Sequence, residues 1–116
     1  MYEYNAKVYD VTDGDTVKAY VDLGFNLHAK LVLRLYGINA PETRTKDLDE
    51  KKEGFKAKDR VIKLLEKSDY KIRMKSHGVD KYGRSLAEII VNVPLSGEIN
   101  INQLLLNEGL AEEYMK

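Results

Sequence analysis

Leu31-Val32-Leu33-Arg34-Leu35-Tyr36-Gly37-Ile38-Asn39-Ala40-Pro41-Glu42-Thr43 carries both a strand and the turn that ends it. Successive side chains of an extended segment point to opposite sides. Leu31, Leu33 and Leu35 therefore fall on one face and Val32, Arg34 and Tyr36 on the other. Arg34 is thus a charge set among apolar neighbours on a strand, and Gly37 with Pro41 brings that strand to a close. Pro41 biases Ala40 toward an extended conformation that holds its carbonyl off the ladder. The stretch from Leu31 to Ala40 is the longest apolar one in the chain. Interrupted by Arg34 and Asn39, it falls far short of the roughly 20 residues a bilayer span needs, so no membrane insertion is expected.

Upstream, Tyr4, Ala6 and Val8 alternate on one face, and Val17, Ala19, Val21 and Leu23 do so after the turn-forming Asp13-Gly14. This predicts a hairpin feeding the third strand. Downstream, between Asp47 and Ser68, the period becomes helical through Phe55, Val61, Ile62 and Leu65, with Asp47 and Glu50 spaced as a capping box. Gly54 inside that helix predicts a cost of about 1 kcal/mol relative to alanine and a frayed or bent first half. Tyr70, Ile72 and Met74 alternate with Lys71, Arg73 and Lys75 as a fourth strand, and Leu86 to Val93 forms a fifth after the Asp80 to Arg84 turn. A closing helix is predicted over Ile101 to Ala111, capped by Asn100 with Gln103 three residues on. This order suits a five-stranded Greek-key barrel of OB-fold type, mainly β with two to three helices (α+β). A six-strand sandwich or an open α+β sheet shares the local signals, and the motifs decide between them.

The 116 residues and 13.3 kDa correspond to a single domain, expected over 1–116. With no cysteine, thiolate metal sites and a cysteine nucleophile are excluded. Met1 to Lys7 shows no basic stretch followed by an apolar run, so a cytoplasmic protein is the default expectation, with export of a mature form left open. Net charge is zero, yet residues 44–84 hold 14 Lys/Arg against 8 Asp/Glu, leaving the flanks acidic. A solvated helix face explains that surplus as readily as a polyanion surface does, so function must rest on sharper features.

Those features are Asp13-Gly14-Asp15-Thr16, Arg34, Asn39-Ala40-Pro41-Glu42-Thr43 and Asp80-Lys81-Tyr82-Gly83-Arg84. Asp13 reads as a hairpin-turn residue. A carboxylate at Asp15, an amide oxygen at Asn39 and the Ala40 carbonyl, completed by water, suit a hard cation such as calcium. Glu42 just beyond is placed to act as general base on a nearby water. Arg34 and Arg84 carry the forked guanidinium that grips phosphate oxygens in pairs and holds developing negative charge. His28 and His77 read as exposed loop histidines and are not expected to act as bases.

Together these stretches, with Asn107-Glu108-Gly109-Leu110-Ala111 near the end, resemble the staphylococcal nuclease (thermonuclease) family over nearly the whole chain. The resemblance implies an OB-fold, calcium-dependent endonuclease acting on DNA and RNA, preferring single-stranded or frayed substrate and leaving 3′-phosphate ends. It assigns Asp15 to the metal, Glu42 to the base and Arg34 and Arg84 to the phosphate clamp. Lys81, Tyr82 and, less in step, Tyr114 take the substrate-binding positions. Where the best-known members have a second metal-binding aspartate and a threonine, this chain has Asn39 and Ala40. A weaker site or a shifted metal preference is expected. The chain is expected to act as a monomer. The rival reading is a non-catalytic nucleic-acid-binding OB-fold module, which the joint presence of Arg34, Glu42 and Arg84 argues against.

Overall fold

The computed structural model describes residues 2–114. Its strands are β1 (Glu3–Asp13), β2 (Thr16–Gly24), β3 (Leu27–Leu35), β4 (Ile38–Asn39), β5 (Lys71–Val79), β6 (Ser85–Val93), β7 (Gly97–Asn100) and β8 (Glu112–Glu113); its helices are α1 (Leu48–Lys67) and α2 (Ile101–Asn107). β1, β2 and β3 form the antiparallel meander, β1 also pairs with β5, and β5 pairs with β6. A parallel pairing of β3 with β6, Arg34 opposite Leu86, closes these five strands into the expected barrel. Register shifts in β1 at Val8/Asp10 and Val11/Asp13 give this long strand the extra bend and twist that closure requires.

Most residues the alternation selected point inward: Ala6 and Val8, Val17, Ala19 and Val21, Leu33 and Leu35, Ile72 and Met74 are buried in one cluster, whereas Leu23, near the end of β2, is exposed. α1 plugs the barrel with Ala57, Val61, Leu64 and Leu65. Asp47 caps it as expected, accepting from the N–H groups of Asp49 and Glu50. The reciprocal half of the box is not made: the Asp47 N–H donates to Thr45 Oγ1 at 3.2 Å, and the Glu50 carboxylate accepts from the Glu42 N–H at 3.4 Å. Phe55, expected on the apolar stripe, is 42% exposed, with Lys58 Nζ over its ring.

Gly54 is buried and α1 is continuous from Leu48 to Lys67, so the frayed first half does not occur. A Cβ there would stand 2.5 Å from the Glu42 carbonyl oxygen and 2.9 Å from that of Pro41. The glycine is a close-approach position where the helix backbone lies against the Pro41–Glu42 peptide. Three residues on, Ala57 packs on the hairpin turn, where a Cβ on Gly14 would come within 2.7 Å of the Ala57 Cβ. One helical face thus holds the two loops that bear Asp15 and Glu42.

The helix after the barrel is shorter than expected. α2 ends at Asn107, and Gly109, at φ 71°, turns the chain so that Leu110 and Ala111 donate to the Leu105 carbonyl. Asn100 caps it, accepting from the Gln103 N–H at 3.1 Å. Buried Asn102 ties α2 to the barrel seam, accepting from Ile89 N–H and donating to the Tyr36 and Ala87 carbonyls. β4, β7 and β8 were not anticipated; β4 and β8 pair with each other and β7 extends β6. Nor are the histidines in loops: His28 lies in β3 opposite Asp22, and His77 lies in β5. No helix among the described residues is long and apolar enough to cross a membrane.

Candidate active site

A cleft of about 860 Å³ opens at the end of the barrel where the β1–β2 turn, the segment after β3, the β5–β6 loop and the chain after β8 meet. Asp15, Arg34, Asn39, Ala40, Glu42, Lys81, Tyr82, Arg84 and Tyr114 all line it. These are the nine residues singled out from the sequence, drawn from four separate segments. A smaller hollow elsewhere, on the outer sheet face around Arg73, contains none of them.

Asp15 sits beyond the hairpin turn and is 6% exposed. Its carboxylate accepts from Thr16 Oγ1 at 3.0 Å and from the Ala40 N–H at 2.8 Å, and its main-chain carbonyl accepts from the Leu35 N–H. Both ends of the Leu35–Ala40 segment are therefore pinned to Asp15. Arg34 Nη2 lies 3.4 Å from Asp15 Oδ2 and donates to Asn39 Oδ1 at 3.1 Å, while Nη1 donates to the carbonyls of Leu35 and Ile38. Arg34 is consequently a fixed positive charge, its side chain only 12% exposed. Removing either member of such a buried pair leaves the other uncompensated, at a cost of about 3–5 kcal/mol.

The Asp15 carboxylate and the Asn39 amide oxygen both face Arg34 Nη2, so the guanidinium joins the two. Among the described residues no group of three or more acidic or histidine side chains converges anywhere. The residues at this end of the cleft that could hold a divalent ion are one carboxylate, Asp15, and the neutral oxygens of Asn39 and the Ala40 carbonyl. They do not provide an all-protein cage.

Glu42 is exposed in the cleft, and its backbone position is set from three sides: Gly54 beneath, Glu50 at its N–H, and the neighbouring Thr43. Thr43 is buried, and both its N–H and its hydroxyl donate to Asp13 Oδ1, at 3.1 and 2.7 Å. Asp13 is therefore more than a turn residue, because it ties the Glu42 loop to the hairpin that carries Asp15. The alternation and turn signals gave no hint of that pairing, since Asp13 and Thr43 are far apart in sequence.

Asp80 is the second residue whose role was missed. Its Oδ1 accepts from the N–H groups of Tyr82 and Arg84, and its Oδ2 accepts from Arg84 Nε at 2.7 Å. Burial pushes the carboxyl pKa up, but the bonds from Arg84 and Tyr82 outweigh it and hold the group below its ordinary value. An aspartate accepting from the N–H two residues on is the Asx-turn pattern, so Asp80-Lys81-Tyr82 did contain the signal. With Nε engaged by Asp80, the Arg84 guanidinium is oriented, and among the described residues nothing bonds its Nη groups. Its Cζ lies 5.3 Å from the centre of the Tyr82 ring, which Lys81 Nζ also approaches at 5.3 Å.

Tyr114 is placed by the short β4–β8 pairing, its N–H donating to the Gly37 carbonyl at 2.9 Å and its ring lying 6.0 Å from Arg34 Cζ. His77 lies behind the cleft wall. Its Nε2 is 2.7 Å from Glu88 Oε2, and its ring stacks on Tyr36. That hydrogen bond is the main cause holding the Glu88 carboxyl below its usual range; burial opposes it and Asn100 adds to it.

The sequence model of a family described as Staphylococcal nuclease homologue matches residues 32–116. No curated protein matches the chain significantly. The matched span begins on β3, so the hairpin bearing Asp13 and Asp15 lies outside it and joins the site through the Asp15 contacts to Leu35 and Ala40. With most of its length matched and the expected barrel formed, the chain belongs to the staphylococcal nuclease homologue family.

Proposed function

We propose that the protein is a metal-dependent phosphodiesterase that hydrolyses DNA and RNA with little base selectivity. The observation that carries this reading is the gathering of Asp15, Arg34, Glu42 and Arg84 around one cleft. Arg84 grips a phosphate oxygen through its Nη groups, and Arg34, immobilised by its four acceptors, adds a preorganised positive charge for the five-coordinate transition state. Glu42 accepts a proton from the water that attacks phosphorus in line with the leaving oxygen. Asp15, Asn39 and the Ala40 carbonyl would hold a divalent ion, calcium by resemblance, which when bound supplies Lewis acidity toward a non-bridging phosphate oxygen. Lys81, Tyr82 and Tyr114 contact backbone and base from the rim. Selectivity among bases is low because phosphate is common to every nucleotide.

The test is purified protein incubated with end-labelled single-stranded DNA and RNA, in calcium and then in chelator. The proposal expects cleavage in calcium and its loss on chelation. Binding without cleavage in any divalent ion would instead establish the non-catalytic module, and cleavage unchanged by chelator would overturn the metal's role.

A further inference from the structure

Tyr36 follows Arg34 on the same face of the chain and stands in the cleft wall. Its N–H donates to the Ala87 carbonyl at 2.8 Å and its carbonyl accepts from Asn102 Nδ2 at 2.9 Å, so the backbone under the ring is tied to β6 and α2. The ring lies parallel to the His77 imidazole, with centroids 3.9 Å apart and planes 5° from each other. His77 is braced in turn by Glu88, whose second oxygen accepts from Asn100 Nδ2 at 3.0 Å. The His77 side chain is only 16% exposed, whereas Tyr36 is 46% exposed. With His77 over one face, that exposure lies on the rest of the residue, in the cleft wall.

A flat ring, backed by a second ring and held by a carboxylate and an amide, is a rigid surface that loses little entropy when another flat group stacks on it. Each of the two arginines already has its own aromatic neighbour, Tyr82 beside Arg84 and Tyr114 beside Arg34. Tyr36 is a third, and the chemistry that a bare aromatic face beside a phosphate clamp recognises is a nucleobase of a single strand. We propose that Tyr36, backed by His77, is a base-stacking subsite for a nucleotide beyond the pair flanking the scissile bond. The protein then favours single-stranded oligonucleotides over dinucleotides. This rests on the phosphodiesterase reading.

The experiment compares KM and kcat for a dinucleotide and a hexanucleotide in wild type, Tyr36→Leu, Tyr36→Phe and His77→Leu. With wild type alone, an abasic residue is walked through the hexanucleotide. A 2-aminopurine walked through the same strand reports stacking by fluorescence quenching, with or without cleavage. Expected is a KM for the hexanucleotide raised roughly 5- to 100-fold in Tyr36→Leu, on the scale of one base–aromatic stack, with kcat and the dinucleotide KM retained. Tyr36→Phe should behave as wild type, and His77→Leu should weaken hexanucleotide binding in the same direction. One abasic position should reproduce the loss, and quenching at that position should vanish in Tyr36→Leu. Wild type that cleaves both substrates with equal KM and no position-dependent abasic effect would overturn the subsite alone. Wild type that binds and quenches without cleaving would overturn the phosphodiesterase reading and keep the stack. An absence of binding would overturn both.

Discussion

Replacing Gly54 with alanine pits two physical effects against each other. Helix propensity alone predicts a gain of about 1 kcal/mol for Gly54→Ala in the middle of α1. The added Cβ, however, would lie 2.5 Å from the Glu42 carbonyl oxygen and 2.7 Å from its carbonyl carbon. Reaching ordinary contact needs a displacement of about 0.9 Å, and the obstructing atoms are backbone, which cannot swing aside as a side chain would. Overpacking of this kind costs typically 1–3 kcal/mol. We expect a net loss of up to about 2 kcal/mol, lowering Tm by up to roughly 10 °C. Because the backbone that must move carries the proposed base, turnover should fall by about 10²-fold, the scale set by an ångström of misplacement. Thermal melts and steady-state cleavage read the two effects separately. A raised Tm with full turnover would refute the close approach of α1 to Glu42.

Asp80→Ala removes the two carboxylate oxygens that accept three hydrogen bonds in the loop orienting Arg84, and turnover on single-stranded DNA should drop by about 10²-fold with the barrel's circular dichroism unchanged; wild-type rates would mean that Arg84 finds its position unaided. Asn39→Asp adds a carboxylate beside Asp15, and calorimetric titration should show divalent-ion affinity rising by about a decade or more; an unchanged midpoint would remove Asn39 from the donor set. Glu88 is held below its ordinary pKa by His77 and Glu108 below its own by Arg60, in each case against burial. Both bind a proton less readily folded than unfolded, so their stabilisation is complete above the unfolded value and is lost as pH falls through the folded one. Tm should therefore decline below about pH 4, and Glu88→Gln should flatten part of that decline. A Tm independent of pH between about 5 and 3 would contradict the linkage.

Much of this architecture was written in period and punctuation. The barrel strands announce themselves because each buries one face, so Ala19, Leu33 and Met74 fall at alternate positions, and the helix caps Asp47 and Asn100 were readable from side-chain chemistry. The site was legible where charged residues interrupt such patterns, as Arg34 does within β3 and Glu42 does after Pro41. What escaped depends on tertiary approach. β4 and β8, at two residues each, are too short to carry a period, and their pairing is what delivers Tyr114. Gly54 looks like a weak helix residue until the Glu42 peptide is set against it. Gly78 suggested a turn after His77, whereas its φ of 102° occurs within β5 where the pairing with β6 skips from Ser76 to Val79. The irregularity leaves His77 in the strand, against Tyr36 and Glu88, and not in a solvent loop.

The Asp15–Arg34 pair is a poor place to probe catalysis, because cutting a buried ion pair confuses lost chemistry with lost stability. Glu42 has no such entanglement, being exposed in the cleft. The most direct measurement is the single-turnover rate of phosphodiester hydrolysis by Glu42→Gln with saturating single-stranded DNA and divalent ion, beside wild type. A fall of roughly 10²–10⁴-fold, with Tm and substrate binding retained, is the predicted result. A rate within a few-fold of wild type would mean that the groups gathered in the cleft do not hydrolyse phosphodiesters in the way described.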